Sequence, residues 1–301
     1  MRWEELREEQ FEDAIARSKG VCVIPIGCLE KHGQHLPVGT DSIVAEYIAN
    51  MAAEQEEVVV FPTTPWLGVS IRQHWDTEPG KNRKRGYIAM NPHTLLQILE
   101  ELCDEIARNG FKKVLIVNYH GGNFGYLDFF TQAQNYNKRD YVTMVVPSLW
   151  SSSINGETLT IHDMYRKVTE HREDFPMLAD ADISVLAKFN ETGLGGGHAC
   201  FFETANILGI HPELVNPDRY EAESGLSTGR SVHLTRAGIA NTQVFWDANF
   251  PNAYNGYAPI GCTENIGKAL NQILTDRLAK IYKIVKEDDD LVRMALNLPK
   301  V

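Results

Sequence analysis

The chain has 301 residues, a length that suits one large α/β domain or two smaller ones. Its 29 basic and 40 acidic residues give a formal net charge of −11, which argues against nucleic acid and anionic membranes as partners. The five cysteines form no CxxC pair, which argues against a disulfide framework and a thiolate zinc site and favours the reducing cytoplasm. No apolar run of about 18 residues occurs, which predicts a soluble, unexported protein.

Apolar runs alternate with helical patterns along the chain, as is typical of βαβ units and a mainly parallel sheet. Buried strands are predicted at 20–27, 58–61, 114–117 and 141–146. Helices are predicted at 42–54, 92–109, 129–136 and 266–287. The segment from about 150 to 260 is less regular. The pattern therefore predicts an α/β fold.

The first candidate site follows the first predicted strand. Residues two apart in an extended segment point to the same side, so Glu30 and His32 can face one ion together. Asp41 stands at the mouth of the next predicted helix and can join them. The alternative is that Asp41 serves only as the N-cap of that helix and accepts a hydrogen bond from its first turn.

The second candidate site, Asn-Tyr-His-Gly-Gly-Asn at 118–123, follows the third predicted strand. Ligands in open α/β sheets bind beyond the carboxyl ends of the strands, where both candidate sites belong. His120 can offer an imidazole nitrogen to a metal such as zinc, while Gly121 and Gly122 allow a sharp turn or a close approach to a ligand. Taken alone, a histidine before two glycines is more often a turn than a ligand.

These stretches resemble the creatininase (creatinine amidohydrolase) family. The family pattern Glu-x-His-Gly-x-His-Leu-Pro, followed by Thr-Asp, is matched at 30–41, and the pattern Asn-x-His-Gly-Gly-Asn at 118–123. A third pattern, His-Ala-x-x-x-Glu-Thr, is matched at 198–204, so three motifs occur in the family order. The resemblance implies a single creatininase-like hydrolase domain over 1–301, with a three-layer α/β/α fold around a central, mainly parallel sheet.

For the site, the resemblance implies two divalent metal ions per chain, with zinc, manganese and iron as candidates. The implied ligands are Glu30, His32, Asp41, His120 and Glu203. Three carboxylates leave one net positive charge on two divalent ions, which favours a metal-bound hydroxide as nucleophile. His198 resembles the family's proton shuttle. Its alternative is a surface residue on a flexible turn formed by the glycine-rich run at 193–197.

The chain resembles the His-Gly-Gly-Asn type of the family more than true creatininase. Creatininase has Tyr-Glu-Asn after this metal-binding histidine, and its Glu is a ligand. Gly122 offers no ligand atom, so the resemblance assigns that role to Glu203. Trp150 resembles a tryptophan that covers the family's substrate, and His74 resembles a second substrate-binding residue, with a hydrogen-bonded loop residue as its alternative. His35 is expected to orient its loop or support a ligand.

The resemblance leaves three functions open. The leading one is hydrolysis of a C–N bond, other than a peptide bond, in a small cyclic amide or formamide. The second is hydrolytic C–C ring opening of a cyclic polyhydroxy ketone such as an inosose, and the third is a non-catalytic module that binds a metal or metabolite. In each case the partner is a small molecule, and the resemblance implies a homo-oligomer, a hexamer built from dimers.

Overall fold

The structure is a computed structural model, and the residues that it describes are 1–70, 85–150, 153–154, 157–158, 160–192, 197–239 and 242–297. The chain forms two compact units. The first unit comprises Met1–Glu30, Asp41–Thr158 and Gln272–Val301, and the second comprises Lys31–Thr40 and Leu159–Asn271. The single domain over 1–301 stays a prediction.

The regular elements alternate along the first half of the chain and become mainly helical in the second. The strands are β1 (Val21–Ile26), β2 (Val59–Val60), β3 (Lys113–Asn118), β4 (Val142–Val146), β5 (Ser153–Ile154) and β6 (Glu157–Thr158). The helices are α1 (Phe11–Arg17), α2 (Thr40–Gln55), α3 (Pro92–Arg108), α4 (Phe124–Ala133), α5 (Ile161–Glu170), α6 (Asp180–Thr192), α7 (Phe201–Ile210), α8 (Val232–Arg236), α9 (Phe245–Asn249), α10 (Glu264–Glu287) and α11 (Asp290–Leu296). Within the described part of the chain, no helix is long and apolar enough to cross a membrane.

The first unit is built on a sheet of four parallel strands in the order β2-β1-β3-β4. Every residue of β1 and β3 is buried, as expected for the inner strands of a parallel sheet covered on both faces. Each of the four predicted strands is confirmed, with its ends shifted by at most one residue. A short antiparallel pair, β5 with β6, lies outside this sheet.

Helices cover both faces of the sheet. On one face, Ile24 and Ile116 belong to a buried apolar cluster that also contains residues of α3 and α4, among them Leu99 and Phe130. The alternate strand residues, which point to the opposite face, are also buried. Two further helices of this unit contact each other, because the Tyr282 hydroxyl in the last part of α10 donates to the Ala49 carbonyl of α2 at 3.2 Å. The predicted three-layer α/β/α fold is therefore confirmed.

The second unit is helical and includes the region that the sequence pattern left irregular. Its α7 and the first part of α10 approach each other closely, because a Cβ atom added at Gly267 would lie 1.9 Å from the Ala205 carbonyl oxygen. Buried amides join the same two helices, with Asn206 Nδ2 donating to Asn271 Oδ1 at 2.7 Å. This packing fixes the helix that carries Glu203.

Candidate metal centre

The end of β1 and the start of α2 bring Cys28 and Asp41 together in the first unit. A Cβ atom at Gly27 would lie 2.4 Å from the Ser42 nitrogen, so only glycine permits this approach. The Ser42 hydroxyl donates to the Cys28 carbonyl at 3.2 Å, and the Cys28 thiol donates to Asp41 Oδ2 at 3.2 Å. Because α2 begins at Thr40, Asp41 lies inside its first turn and not at the N-cap.

The imidazole of His120 meets two carboxylates. Its Nδ1 lies 2.9 Å from Asp41 Oδ2 and 3.3 Å from Glu30 Oε1. On the other side of the ring, Nε2 lies 2.8 Å from the Val69 carbonyl oxygen, which can only accept. Nε2 therefore carries a proton that it donates to Val69, and Nδ1 is directed at the carboxylates. We call Cys28, Glu30, Asp41 and His120 the His120 cluster, whose possible ligand atoms all lie within 4.8 Å of one another.

The two carboxylates change the acidity of His120. Burial alone lowers the pKa of an imidazole, because the charged form loses hydration. The Glu30 and Asp41 carboxylates outweigh that effect and raise the pKa of His120 to about 9. The cluster thus attracts a positive charge into a buried position.

Two asparagines of the same motif hold the His120 loop. Asn118 Nδ2 donates to the His120 carbonyl at 2.8 Å, and the His120 backbone N–H donates to Asn118 Oδ1 at 3.1 Å. Asn123 Nδ2 donates to Asn118 Oδ1 at 3.0 Å, while Asn123 Oδ1 accepts the Val69 N–H at 2.7 Å. The sequence interpretation gave these asparagines no role, although their places on both sides of His120 were a signal. Asn123 therefore holds the backbone of Val69, whose carbonyl fixes the His120 ring.

Gly122 is required next to this ring. A Cβ atom at position 122 would lie 2.5 Å from His120 Nε2, closer than atoms approach without displacement, whereas one at Gly121 would meet nothing within 4 Å. A glutamate side chain therefore has no room at position 122 with His120 as it stands.

Of the two predicted substrate-binding residues, Trp150 lies within the described part of the chain. Trp150 follows β4, is half-buried and stands edge-on to Tyr119, with ring centroids 4.8 Å apart. His74 lies outside the described residues, as do residues 193–196 of the glycine-rich run before His198. Substrate binding by Trp150 and His74 stays a prediction.

The remaining motif residues meet in the second unit. His32 Nε2 lies 3.8 Å from Glu203 Oε2, and the rings of His32 and His198 stack with centroids 4.1 Å apart. Glu203 lies in the first turn of α7, where its Oε2 also accepts the Ala199 backbone N–H. We call His32, His198 and Glu203 the His198 cluster.

The backbone around His198 is paired. His198 and Asn255 exchange two backbone hydrogen bonds of 2.8 Å each, and a Cβ atom at Gly197 would lie 1.9 Å from the Asn255 carbonyl oxygen. His198 Nε2 lies 2.8 Å from the Lys31 carbonyl oxygen, to which it donates. The half-buried imidazole is therefore anchored at one nitrogen rather than displayed on an open turn.

His35 supports the segment before α7, as expected for a residue that orients a loop. Its Nε2 lies 3.0 Å from the Ala199 carbonyl oxygen and 3.2 Å from Thr204 Oγ1. These two residues precede and follow Glu203 in the sequence. Burial lowers the pKa of His35 from 6.5 to about 4, so the ring is neutral and donates to the Ala199 carbonyl.

The family model for creatininase (creatinine amidohydrolase) matches residues 4–282. The chain belongs to the creatininase family. This family member is 24% identical over 222 residues to the creatinine amidohydrolase of Pseudomonas putida, over 71% of this chain and 74% of that one. It is 30% identical over 107 residues to the mycofactocin precursor peptide peptidase of Mycobacterium tuberculosis, over 35% of this chain and 42% of that one.

Solved structures of creatininases share the fold of this family member. A creatininase with Mn and a creatininase variant of Zn-Zn type each align with a TM-score of 0.63 at 18% identity, covering 95% of this chain. The alignments cover 99% and 98% of those two chains, respectively. Identities this low show the fold alone. The two named sequence relatives, an amidohydrolase and a peptidase, are hydrolases.

The donor chemistry of this creatininase-family chain fits divalent metal ions. Metal-binding histidines usually present one nitrogen to the ion and donate the other N–H to a carbonyl or carboxylate. His120 has that arrangement, with Nε2 on the Val69 carbonyl and Nδ1 toward Glu30 and Asp41. Mixed imidazole and carboxylate sets suit zinc, manganese and ferrous iron.

Proposed function

We propose that this chain is a metal-dependent hydrolase that cleaves a C–N bond, other than a peptide bond, in a small cyclic amide or formamide. The observation that carries the proposal is the His120 imidazole, buried and fixed by Val69 with Nδ1 facing Glu30 and Asp41. Two carboxylates facing one imidazole nitrogen form a mixed donor set of the kind that holds zinc, manganese or ferrous iron. Membership in a family with a named amidohydrolase supports the C–N bond as the target.

The proposed centre holds two divalent ions, with zinc, manganese and iron as candidates. Its proposed ligands are Glu30, His32, Asp41, His120 and Glu203. Bound ions of this kind polarise a carbonyl and activate water for attack. The Mn and Zn-Zn creatininase structures support this metal class for the family.

The proposed work of His198 is proton transfer. Its Nε2 donates to the Lys31 carbonyl at 2.8 Å, and the imidazole held in this way is proposed to take a proton from the attacking water and deliver it to the leaving nitrogen. The backbone pairing with Asn255 keeps this imidazole in one orientation, so little ordering is needed during the reaction. Trp150 and His74 are proposed to contact the substrate.

A second candidate is hydrolytic C–C ring opening of a cyclic polyhydroxy ketone. Among the described residues, the buried hydroxyl oxygens of Thr63, Thr64 and Ser148 have no hydrogen-bond partner. They follow β2 and β4, at the carboxyl edge of the sheet where ligands of α/β proteins bind. Unpaired buried hydroxyls favour a ligand that is rich in hydroxyl groups, because each unmet hydrogen bond costs free energy.

The deciding experiment combines metal analysis with a substrate panel. Wild type, Glu30→Gln, His120→Ala and the surface control His93→Ala are purified without added metal, and bound metal is measured by elemental analysis. Each protein is then assayed on cyclic amides, formamides, inososes and short peptides. We expect about two equivalents of metal in wild type and control, with less metal and no turnover in the two cluster variants.

The active panel member decides the reaction. Turnover of an amide or formamide supports the C–N proposal, turnover of an inosose supports ring opening, and turnover of peptides alone overturns both. Metal binding without any turnover favours the non-catalytic binding module. Failure of wild type to retain or regain metal overturns the metal-dependent mechanism.

The homo-oligomer, of hexameric size, and the cytoplasmic location are also proposed. Sedimentation velocity of the full chain tests the first, and a monomer at micromolar concentration contradicts it. Fractionation of the native cells tests the second.

A further inference from the structure

Cys28 belongs to the His120 cluster by position. It lies between the end of β1 and Glu30, its exposed fraction is 0%, and its Sγ donates to Asp41 Oδ2 at 3.2 Å. Its sulfur is one of the four possible ligand atoms of the cluster, all within 4.8 Å of one another. Sequence spacing argued against a thiolate zinc site because no CxxC pair exists, but that rule does not detect one thiol in a mixed donor set.

The distances in the cluster can be compared with a coordination shell. A tetrahedral ion with ligand bonds of roughly 2.0–2.3 Å holds its ligand atoms about 3.3–3.8 Å apart. Here Asp41 Oδ2 lies 3.2 Å from Cys28 Sγ and 2.9 Å from His120 Nδ1, and His120 Nδ1 lies 3.3 Å from Glu30 Oε1. Side-chain shifts of a few tenths of an ångström therefore bring these neighbouring pairs to coordination distances.

We propose that Cys28 is a fourth protein ligand of the ion held by Glu30, Asp41 and His120, and that it gives this position a preference for zinc over manganese. The proposal rests on the proposed metal centre. A thiolate is a soft ligand that favours zinc, whereas carboxylates alone suit manganese. When the metal–sulfur bond forms, the thiol proton that Asp41 accepts as a hydrogen bond is released to solvent.

A different role would leave a different signature. If the thiol keeps its proton and only orients Asp41 by hydrogen bonding, serine can replace it, because a hydroxyl donates to the same carboxylate. Cys28→Ser therefore separates ligation from positioning. Cys103, which is also fully buried in the first unit but belongs to the apolar cluster with Leu99, provides the matched control Cys103→Ala.

The experiment uses Co²⁺ as a spectroscopic probe and competition between Zn²⁺ and Mn²⁺ as a second readout. The full-length apoproteins of wild type, Cys28→Ser and Cys103→Ala are loaded with Co²⁺, and the sulfur-to-cobalt charge-transfer absorption is recorded with the bound cobalt. We expect the band in wild type and Cys103→Ala and its loss in Cys28→Ser, which still binds cobalt. We also expect the ratio of zinc to manganese affinity to fall at least about tenfold in Cys28→Ser.

Each result bears on one proposal or both. Cobalt bound to wild type without a charge-transfer band, and a zinc preference unchanged in Cys28→Ser, overturns ligation by Cys28 and leaves the metal centre standing. A band that disappears in Cys103→Ala also overturns it. Wild type that binds none of the three metals overturns the metal centre and Cys28 ligation together.

Discussion

The absence of a side chain at Gly122 leaves room for the His120 imidazole, whereas a side chain at Gly121 would not touch the ring. A methyl group at 122 would meet Nε2 at 2.5 Å, whereas one at 121 would meet nothing within 4 Å. We predict that Gly122→Ala turns the ring away from Glu30 and Asp41 and weakens metal binding about 10- to 100-fold. Gly121→Ala should bind like wild type in a chelator competition titration. Equal, unchanged affinities in both variants would contradict the prediction.

His198 is predicted to act in the chemical step and not in metal retention. His198→Asn should lower kcat on the active panel substrate about 10²- to 10⁴-fold, because the proposed proton transfer by the imidazole is lost. Bound metal, measured by elemental analysis, should be unchanged. A variant with normal kcat and a raised KM would instead assign His198 to substrate binding.

His35 makes stability depend on pH. Its folded-state pKa of about 4 lies below the ordinary 6.5, so the unfolded chain binds more protons between these values. The neutral ring stabilises the fold above pH 6.5, and that contribution, up to about 3 kcal/mol, is lost as the pH falls toward 4. His35→Gln keeps an N–H donor without titrating.

The His35 prediction is tested by urea unfolding of wild type and His35→Gln across this pH range in the presence of a chelator. The free energy of unfolding should fall less steeply with acid in His35→Gln than in wild type. Parallel curves for the two proteins would assign the acid sensitivity to other groups.

At the scale of elements, the crossing of α7 and α10 leaves no room for added volume. A Cβ atom at Gly267 would lie 1.9 Å from the Ala205 carbonyl oxygen, whereas one at Gly125 in α4 would meet nothing within 4 Å. We predict that Gly267→Ala destabilises the protein by about 1–3 kcal/mol through overpacking. Gly125→Ala should be neutral or slightly stabilising, since alanine is the better helix former. Equal unfolding midpoints in the two variants would contradict this.

The elements that the sequence predicted are those with strong local patterns. Long apolar runs predicted β1 and β3, and helical spacing predicted α3 with an end only one residue away. The predicted helix at 129–136 instead begins at Phe124, because burial of Leu127 and Phe130 outweighs the poor helix propensity of Gly125. The five-residue helices α8 and α9 are too short to show a period.

Motifs predicted the candidate site residues, but they did not predict the groups that hold those residues in place. Glu30 and His120 could be predicted as candidate ligands because each follows an inner strand of a parallel sheet. The Val69 carbonyl that fixes the His120 ring lies 51 positions away in sequence and is a backbone atom, which no residue pattern reveals. The Asn123 amide that holds Val69 is a motif residue whose partner is equally remote.

For the whole molecule, charge links the proposed metal centre to stability. The chain carries a net charge of −11, and three of its proposed ligands, Glu30, Asp41 and Glu203, are carboxylates with little exposure. The Glu30 and Asp41 carboxylates raise the pKa of His120, so this part of the fold already favours a cation. A divalent ion that binds the folded chain and not the unfolded one therefore stabilises the fold.

We predict that metal removal lowers the free energy of unfolding of the whole chain. With free metal at about 100 times its dissociation constant, binding contributes about 2.7 kcal/mol, and a chelator abolishes that contribution. The urea unfolding curves with added zinc and with chelator should differ for wild type and for the surface control His93→Ala. They should differ less for His120→Ala, which lacks one proposed ligand. Elemental analysis serves as the control that the chelated sample is metal-free. If the wild-type unfolding curves with zinc and with chelator then coincide, the ion does not stabilise the folded state. The acidic cluster in that case is held together by its own hydrogen bonds and the protonated His120.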